Sequence, residues 1–357
     1  MHTETLIFAP IPAKSTVAER VTAINRLWSY FDVGSIISPQ DRIALKTHFG
    51  DVNNTTHIAP EIIRSAVPVV MEAGAKPFLT ETATLYPSPR SNAIDHLQLA
   101  YDHGFSFEAI GAPIIMADGL LGNAEIEVEI PGEIYQQVNI ARDAVLADGL
   151  IVFSHPTGHI AAGIGACIKN LGMGLSSRKG KLQQHSSIKP YIDETQCESC
   201  CECLNWCPEN AIVITADSAR ITPEICIGCG ECIAVCNFNA VKFNYAVESA
   251  DLQRRMAEYA MGAVMNKRDK CIYINVLTDM TSQCDCMSIT QQPIISDVGI
   301  LLGTDPVAID QATLDLTREA NTLDLGHMSF PELDPSVQIT HAEKIGLGSR
   351  KYQLVTL

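Results

Sequence analysis

Eight cysteines in two runs of identical spacing are the residues of this sequence with the strongest chemical signature. The first run comprises Cys197, Cys200, Cys203 and Cys207, and the second comprises Cys226, Cys229, Cys232 and Cys236. Both follow C-x₂-C-x₂-C-x₃-C, in which the two-residue gaps let successive thiolates bind neighbouring irons of one cubane, while the fourth cysteine reaches the other cluster. The spacing therefore predicts two [4Fe–4S] clusters.

The same spacing predicts which cysteines share a cluster. One cluster is expected on Cys197, Cys200, Cys203 and Cys236, and the other is expected on Cys226, Cys229, Cys232 and Cys207. From Pro190 to Phe243 the chain resembles the bacterial two-cluster ferredoxins, with Cys201 as an extra thiol. Because paired C-x₂-C motifs also hold zinc, a structural zinc site is the alternative.

The composition narrows the class of protein further. Among 357 residues, 41 are acidic and 25 are basic, and the formal net charge is −16. This charge disfavours a nucleic-acid or anionic-membrane partner, which would need a basic face. The sequence shows no signal-peptide pattern and no apolar run of membrane-spanning length. We expect a cytoplasmic protein that works under anaerobic conditions, in which exposed clusters survive. Its expected partner is a redox protein or a small-molecule substrate. The sequence does not determine the oligomeric state.

A second group of polar residues follows the predicted strand Arg42 to Thr47. Lys46 lies near the end of this strand, and the polar loop from His48 to His57 comes directly after it. Open α/β sheets bind their ligands at the carboxyl ends of the strands. We therefore predict catalytic roles for His48 and His57 and a cofactor-binding role for Lys46. A turn-rich surface loop is the alternative.

A glycine-dense segment, from Gly158 to Gly174, contains the third group. Glycine lets a backbone approach a ligand closely, and backbone amides beside Lys or Arg can hold phosphate or carboxylate. We predict catalytic roles for His155, His159 and Lys169. The predicted cofactor-binding residues are Gly163, Gly165, Asn170, Gly172, Gly174, Arg178 and Lys179. The segment carries no nucleotide-binding fingerprint, and a tight structural loop is the alternative.

Two further cysteines, Cys284 and Cys286, flank Asp285 in a C-x-C pair. Such a pair can bind an extra metal or take part in thiol redox chemistry. Burial as unreactive side chains is the commoner fate of cysteines outside a recognised motif. All three alternatives remain open for this pair.

Hydrophobic periodicity and capping signals predict the elements that position these residues. Strands are expected at Arg42 to Thr47, Pro77 to Thr82, Glu125 to Ile130, Leu150 to Phe153, Ile212 to Ile214, Val241 to Phe243, Cys271 to Leu277 and Ile294 to Leu302. Helices are expected from Val17 to Phe31 after a Thr16 capping box, from Pro60 with a kink at Pro68, around Ile140 to Ala147, from Ala246 to Met265, and after Asp305.

Alternating strands and helices predict an α/β core with a mixed or mostly parallel sheet and flanking helices. The cysteine runs interrupt this core in the sequence. We therefore predict a discontinuous α/β domain from residues 1–189 and 246–357, with residues 190–245 forming a small α+β ferredoxin-like module with two [4Fe–4S] clusters.

The motifs K-T-H-F-G-D…N-T-T-H, H-P-T-G-H…K-N-L-G-M-G, C-D-C and T-D-P-V-A-I-D occur in this order. In these motifs the chain resembles the domain-of-unknown-function 362 family, and the resemblance implies an architecture rather than an activity. The stretch containing His155, His159, Gly163, Gly165 and Lys169 is also similar to the nickel-pincer lactate racemases, in which a His and a Lys hold the cofactor. That similarity implies that the segment from Gly158 to Lys169 faces a cofactor.

These features favour an iron–sulfur oxidoreductase that relays single electrons to a substrate or organic cofactor in the α/β domain. A flavin is one candidate, because it exchanges one or two electrons and Lys169, Arg178 or Lys179 could meet its phosphate. One alternative is a pure electron carrier without its own substrate. Another is a maturation protein that handles metal or sulfur through Cys284 and Cys286.

Overall fold

The computed structural model of the chain describes residues 3–185, 189–215, 218–226, 228, 230–242 and 249–357. Cys229 and Phe243, which carry sequence predictions, lie outside the described residues, as do positions 246–248 of the predicted helix from Ala246.

The strands, in chain order, are β1 (Glu4–Pro10), β2 (Arg42–Lys46), β3 (Lys76–Glu81), β4 (Ile114–Met116), β5 (Glu125–Glu129), β6 (Gln137–Ala141), β7 (Gly149–Ser154), β8 (Thr157–His159), β9 (Gly163–Gly165), β10 (Tyr191–Ile192), β11 (Ile212–Ile214), β12 (Ala219–Ile221), β13 (Val241–Lys242), β14 (Cys271–Leu277), β15 (Gly299–Gly303) and β16 (Tyr352–Thr356). The helices are α1 (Val17–Tyr30), α2 (Pro60–Arg64), α3 (Ala66–Glu72), α4 (Ala93–Asp102), α5 (Phe107–Ile110), α6 (Arg142–Leu146), α7 (Cys167–Gly172), α8 (Arg178–His185), α9 (Glu202–Asn205), α10 (Glu231–Val235), α11 (Ser249–Val264), α12 (Pro306–Asn321), α13 (Leu325–Ser329) and α14 (Val337–Lys344).

Eight of these strands form one sheet in the order β16-β1-β15-β14-β7-β2-β3-β4. β15 pairs antiparallel with both of its neighbours, β1 and β14, and the other pairings in this sheet are parallel. The predicted α/β core with a mostly parallel, mixed sheet is confirmed. The adjacent strands β14, β7, β2 and β3 run in one direction, so their carboxyl ends meet at one edge of the sheet.

Both faces of this sheet are buried. In β7, Leu150 and Val152 pack on one face with residues of α7, α11 and α12, whereas Ile151 and Phe153 pack on the other face with residues of α1, α2 and α3. Strands covered on both faces are apolar at successive positions instead of alternating apolar and polar residues. This burial explains the continuous apolar run that predicted β7.

Two predicted helix starts are confirmed at their capping residues. The Thr16 hydroxyl accepts the Glu19 backbone N–H at 3.3 Å, and the Glu19 carboxylate accepts the Thr16 N–H at 2.7 Å. At the start of α12, the Asp305 carboxylate accepts the N–H groups of Val307 and Ala308 at 2.8 and 3.0 Å. Both caps satisfy backbone donors that have no partner within the helix.

The helix predicted from Pro60 is divided rather than kinked. α2 ends at Arg64 and α3 begins at Ala66. Proline lacks the N–H that would bond to the carbonyl four residues earlier, and its ring clashes with that carbonyl. For Pro68 that carbonyl belongs to Arg64, and the helix ends there.

Two other predicted boundaries were wrong. Ile140 belongs to β6, and α6 begins only at Arg142, because the stretch up to Ala141 pairs antiparallel with β5. β15 begins at Gly299, since the backbone N–H of Ile294 bonds to the Met280 carbonyl outside the sheet at 2.8 Å.

The cysteine-rich segment has its own small sheets and core. β10 pairs antiparallel with β13, and β11 pairs antiparallel with β12. Side chains including Ile212, Ile221 and Val241 pack together with cysteines of both runs. The β10–β13 pairing brings the beginning and the end of this segment side by side. In the ranges described above, no helix combines the length and apolar character needed to cross a bilayer.

Candidate functional site

Each of two cavities in the cysteine-rich segment draws cysteines from both runs. The first cysteine cavity, of about 350 Å³, is lined by Cys197, Cys200, Cys203 and Cys236 among other residues. The second cysteine cavity, of about 330 Å³, is lined by Cys207, Cys226 and Cys232. In each cavity, the lining includes one cysteine of the other run, and it is the cysteine that the spacing assigns to that cluster.

Backbone amides point at the cysteine sulfurs in a repeated pattern. The N–H of Ala211 donates to Cys207 Sγ at 3.2 Å, and the N–H of Ala240 donates to Cys236 Sγ at 3.2 Å, with the same offset along the chain. Hydrogen bonds of this type stabilise a thiolate and raise the reduction potential of a cluster that the thiolate binds. The sequence repeat is therefore also a repeat of hydrogen bonds.

The thiols around the first cysteine cavity disfavour one another's ionisation. Burial, followed by the neighbouring Cys236, Cys200 and Cys197, raises the pKa of Cys203 to about 11. A cationic metal centre removes this penalty, because coordinating thiols are deprotonated outright. Cys201 is exposed, as Cys200 is, but its thiol donates to the Ser199 carbonyl at 3.4 Å. The donor set of this cavity therefore suits an iron–sulfur cluster.

Among the residues described, no three His, Cys, Asp or Glu side chains converge where a single metal ion could bind. In a cubane the thiolates bind separate irons, so they surround a volume instead of a point.

The core cavity lies at the carboxyl ends of β2, β3 and β7 and beside the loop after β14. Its volume is about 500 Å³, open to solvent, and its lining includes His48, Glu81, Ser154, His155, Thr157, Gly165, Lys169, Asn170, Gly174, Cys284 and Asp285. The edge where adjacent parallel strands end is the usual ligand position in open α/β sheets. Residues of the loop after β2, of the glycine-dense segment and of the C-x-C pair therefore meet at this cavity.

A buried ion pair forms one wall of the core cavity. Lys46, the last residue of β2, is fully buried and pairs with Glu81, the last residue of β3. The Lys46 Nζ also donates to Asn170 Oδ1 at 2.8 Å. Gly174 makes room for this lysine, because a Cβ there would lie 2.9 Å from Lys46 Cε. Lys46 therefore organises the wall without lining the cavity itself.

Lys169 lies in α7, and a residue of α12 caps the start of this helix. α7 has no side-chain cap of its own; the Asp310 carboxylate, from α12, accepts the backbone N–H groups of Cys167 and Ile168 at 2.8 Å each. Burial raises the pKa of Asp310 to about 6. This tertiary cap fixes α7, and with it Lys169, at the core cavity.

Cys284 is held beside a cation. The Lys169 Nζ donates to Cys284 Sγ at 3.2 Å, and the backbone N–H of Cys286 donates to the same sulfur at 3.3 Å. A hydrogen bond from the Cys286 thiol, together with the charge of Lys169, lowers the pKa of Cys284 to about 5 despite its burial. The Cys284 thiolate in turn holds the pKa of Cys286 well above its ordinary value. One thiolate and one thiol therefore stand side by side.

The residue between these cysteines anchors their loop. The Asp285 carboxylate pairs with His155 Nδ1 at 2.7 Å and accepts from Asn54 and Thr56 at 3.0 and 3.1 Å. The other nitrogen of His155 lies 2.7 Å from the Thr278 carbonyl. Against the opposing effect of burial, Asp285 raises the pKa of His155. Because both ring nitrogens face acceptors, His155 is held as a cation and positions Asp285.

Arg90 joins the first polar loop to the C-x-C loop. It pairs with the Asp51 carboxylate at 2.9 Å, donates to the Cys286 carbonyl at 3.2 Å, and lies 3.0 Å from His48 Nε2. Burial, then the charge of Arg90, lowers the pKa of His48 far below its ordinary value. The Gly50 N–H also points at His48 Nδ1, at 2.9 Å. A neutral imidazole accepts at one nitrogen, so only one of these two donors is satisfied at a time.

Besides Lys46 and Cys286, six predicted site residues do not line the core cavity: His57, His159, Gly163, Gly172, Arg178 and Lys179. The His57 ring stacks on His103 at a centroid distance of 4.7 Å, and burial lowers the pKa of His57 to about 4. His159 accepts the Ala161 N–H at 3.2 Å, and burial followed by the charge of Lys169 lowers its pKa. Both histidines lie behind the cavity wall as neutral side chains.

The remaining four have partners elsewhere. Arg178 donates to the Ser91 carbonyl, and Lys179 pairs with Glu125 at 3.5 Å. Gly172 packs where a Cβ would collide with the α11 backbone, and Gly163, the first residue of β9, has a φ of +70°. The glycines that touch site residues are Gly165 and Gly174, which leave space for the stems of Lys169 and Lys46.

α8 lies between the second cysteine cavity and the core cavity. On one side, a Cβ at Gly230, which lines the second cysteine cavity, would lie 3.5 Å from Leu182 of α8. On the other side, Lys181 of α8 donates to the Thr82 hydroxyl at 2.6 Å, and the Thr82 N–H donates to Glu81 at 2.8 Å. Packed and hydrogen-bonded side chains therefore connect the two cavities.

Sequence reasoning missed two contributors to this site: Glu81 and Arg90. Glu81 lies near the end of a predicted strand, and the same strand-end rule that selected Lys46 could have found it. Lys181 lies in the basic run after the glycine-dense segment, but the sequence assigned it no role. Arg90 lies in a segment without a chemical motif. The roles of Arg90 and Lys181 depend on contacts with residues distant in sequence.

The family model described as "Domain of unknown function (DUF362)" matches residues 43–315. This match spans more than half of the chain, and the protein belongs to that family.

A short segment is similar to ferredoxin-type proteins. Over 79 residues the chain is 34% identical to the pyruvate synthase subunit PorD of Methanothermobacter marburgensis, covering 22% of this chain and 90% of that subunit. Over 54 residues it is 35% identical to a ferredoxin of Alicyclobacillus acidocaldarius, covering 15% of this chain and 69% of the ferredoxin. The ferredoxin-like part of the sequence prediction is thus confirmed.

Two solved structures align with the chain at low similarity. The lactate racemase apoprotein of Thermoanaerobacterium thermosaccharolyticum aligns with a TM-score of 0.41 and 12% identity, covering 76% of this chain and 51% of that one. A Thermotoga maritima protein aligns with a TM-score of 0.43 and 8% identity, covering 90% of this chain and 60% of that one. The chain thus spans less than two thirds of either structure.

Proposed function

We propose that the protein is an iron–sulfur electron-transfer protein that delivers single electrons to a small molecule in the core cavity. The observation that carries this proposal is the pair of cysteine cavities, each lined by cysteines from both runs, with α8 packed between the second of them and the core cavity. The similarity to a ferredoxin and to a pyruvate synthase subunit supports the same class.

Each cysteine cavity would hold one [4Fe–4S] cluster. Cys197, Cys200, Cys203 and Cys236 would hold one cluster, and Cys207, Cys226 and Cys232 would hold the other together with Cys229. A bound cluster supplies one-electron transfer. The chain's own contribution is to exclude water with apolar side chains and to donate backbone N–H groups to the sulfurs. We also infer that residues 190–245 are an inserted module within a domain formed by residues 1–189 and 246–357, which the β10–β13 pairing supports.

The core cavity presents groups with fixed charges to a ligand. His155 is held as a cation by Asp285 and the Thr278 carbonyl, and Lys169 stays protonated beside Cys284. Cys286 holds its proton next to the Cys284 thiolate. The charged groups orient a ligand electrostatically.

A flavin does not fit this arrangement well. Arg178 and Lys179, which could have met its phosphate, bond to Ser91 and Glu125 away from the core cavity. Lys169, the third candidate, is paired with Cys284. No step of the proposed function therefore depends on a flavin.

Anaerobically purified protein tests the proposal. We expect about eight iron and eight sulfide per chain, from two cubane clusters, and an electron paramagnetic resonance signal after one-electron reduction. Mass spectrometry of small molecules released on denaturation should identify a ligand without flavin absorbance. Zinc in place of iron would overturn the cluster assignment, and reduced protein that transfers electrons to protein partners but to no small molecule would leave a pure carrier.

A further inference from the structure

We propose that Cys284 and Cys286 form a redox-active dithiol in the core cavity that reduces a small disulfide with electrons from the clusters. This inference rests on the proposed electron transfer and specifies the chemical class of its substrate. It also gives a function to the C-x-C pair that the iron–sulfur chemistry leaves unused.

The geometry separates the two cysteines into a nucleophile and a second thiol. Cys284 lines the cavity, and its sulfur faces Lys169 at 3.2 Å, so the sulfur that a ligand meets carries the stabilised negative charge. The pKa of about 5 for Cys284 agrees with this position. The Cys286 thiol forms a hydrogen bond with Cys284 and keeps its proton. Thiolate beside thiol is the arrangement that disulfide exchange requires.

The loop that carries both cysteines is clamped on its other side. His155, Asn54 and Thr56 bind the Asp285 side chain at 2.7, 3.0 and 3.1 Å. The Tyr86 hydroxyl and Arg90 bind the Cys286 carbonyl at 2.9 and 3.2 Å. The Met287 N–H donates to the Cys284 carbonyl at 2.9 Å, so residues 284–287 form a tight turn. Within this turn the Cys286 N–H donates to Cys284 Sγ at 3.3 Å, and the clamp on Asp285 holds Cys286 beside the Cys284 sulfur.

The ion pairs around the cavity also require an ionised Cys284. Lys46 is paired with Glu81, Arg90 with Asp51, and His155 with Asp285. For Lys169 the described partner is the Cys284 sulfur, and that sulfur's charge raises the pKa of Lys169 against the effect of burial. Protonating Cys284 would leave the partly buried Lys169 charge without this partner.

The reaction balances with two electrons. The Cys284 thiolate attacks one sulfur of the substrate disulfide, the substrate S–S bond breaks, and the first product thiolate leaves to take a proton from water. Cys284 has then lost its charge, so Cys286 ionises more readily; its sulfur attacks Cys284, and its proton goes to the second product thiol. The resulting Cys284–Cys286 disulfide takes up two electrons and one proton to restore one thiolate and one thiol.

Those electrons come from an external low-potential one-electron donor through the two clusters. Two one-electron centres match the two-electron demand of one disulfide. A disulfide across a single intervening residue closes a small, strained ring, and strained disulfides have more oxidising potentials. Such a disulfide therefore accepts electrons more readily than an unstrained one.

Thiol trapping in the intact anaerobic holoprotein tests the inference. The protein is treated with hydroxyethyl disulfide, quenched in acid, alkylated and digested, and the peptide containing both cysteines is analysed by mass spectrometry. We expect an internal Cys284–Cys286 disulfide in the native protein. In Cys286→Ser we expect a stable mixed disulfide with mercaptoethanol on Cys284, since the resolving thiol is gone. Adding a one-electron donor to oxidised native protein should then restore both thiols.

Cys284→Ser, which lacks the attacking thiol, is the matched control and should form no mixed disulfide at Cys286. A Cys284 that stays unmodified in Cys286→Ser, or a mixed disulfide that persists in the native protein, would overturn the dithiol. So would a tightly bound soft metal that protects both thiols from alkylation. Iron content and cluster spectrum are recorded on the same samples. A normal cluster spectrum with inert thiols rejects this inference alone, whereas absent clusters reject the proposed electron transfer.

Discussion

Cysteine sulfurs lie in two different environments in the two regions of this molecule. Around the cysteine cavities, sulfurs such as Cys207 and Cys236 accept backbone N–H groups at 3.2 Å. In the core cavity, Cys284 lies 3.2 Å from the ammonium group of Lys169. A backbone amide is a dipole, whereas Lys169 carries a full charge. The first environment suits thiolates that a metal cluster neutralises, and the second produces a thiolate without any metal.

The pKa values in the two regions express the same difference. Burial and neighbouring thiols raise the pKa of Cys203 to about 11, whereas Cys286 and Lys169 lower that of Cys284 to about 5. Burial raises the pKa of both thiols, so burial alone does not decide which thiol ionises. The partner of the sulfur decides it.

Removing a cluster ligand should give the largest effect on this comparison. In Cys203→Ser the first cluster loses a buried ligand, and we expect iron to fall from about eight to about four per chain, since each cubane holds four irons. Iron analysis of anaerobically prepared protein measures the change. Cys201→Ser is the matched control, because Cys201 is exposed and bonds to the Ser199 carbonyl. Full iron content in Cys203→Ser would mean that the ligand register is different.

Removing the cation should raise the pKa of the core thiolate. In Lys169→Met we expect the pH midpoint for alkylation of Cys284 to move upward from about 5 by about 1–3 pH units, the usual effect of a close opposite charge. The midpoint is the readout, since a more basic thiolate is also intrinsically more nucleophilic and rates at one pH can cancel. Lys179→Met, which removes a lysine away from the cavity, should leave the midpoint unchanged.

The direction of the related effect on stability follows from the same shift. The Cys284 pKa is lower in the folded protein than its ordinary value of 9.0. Between these values the unfolded chain binds the extra proton, so the contribution of this thiolate to stability is fully present above about pH 9 and is lost as the pH falls through about 5.

If the alkylation midpoint in Lys169→Met stays near 5, the Lys169 charge does not stabilise the Cys284 thiolate.

Removing the Asp310 cap of α7 should have the smallest effect, and it should change only the stability of the α/β core. Asp310→Asn replaces one of the oxygens that accept the Cys167 and Ile168 N–H groups by an amide donor. We expect a loss of about 1–3 kcal/mol in the free energy of unfolding, the cost of leaving buried groups unpaired. Urea denaturation followed by circular dichroism measures it.

Iron content should not change in Asp310→Asn, because α7 belongs to the core and not to the cysteine-rich segment. Asp315→Asn, on the same helix, is the control with a partly exposed carboxylate that accepts from Gln311 and Tyr352. Equal destabilisation by both variants would contradict the proposed cap.

Much of the fold could be predicted from local patterns. β14 was predicted with its observed bounds, and the capping residues of α1 and α12 were identified, because caps and apolar runs act within a few residues. The errors occurred where a distant contact decides. Ile140 is a strand residue because β5 pairs with β6, which no local signal at Ile140 records.

The sequence by itself predicted which cysteines share a cluster, because ligand spacing along a short chain limits which irons each sulfur can reach. It also indicated that His48, Lys169 and Cys284 lie in chemically active segments. Only the tertiary structure decided that these segments meet at one cavity, that Glu81, Asp310 and Arg90 position them, and that α8 lies between this cavity and the cysteines. The physical reason is that a buried charge is set by its partners in space, and those partners come from strands and helices far apart in the chain.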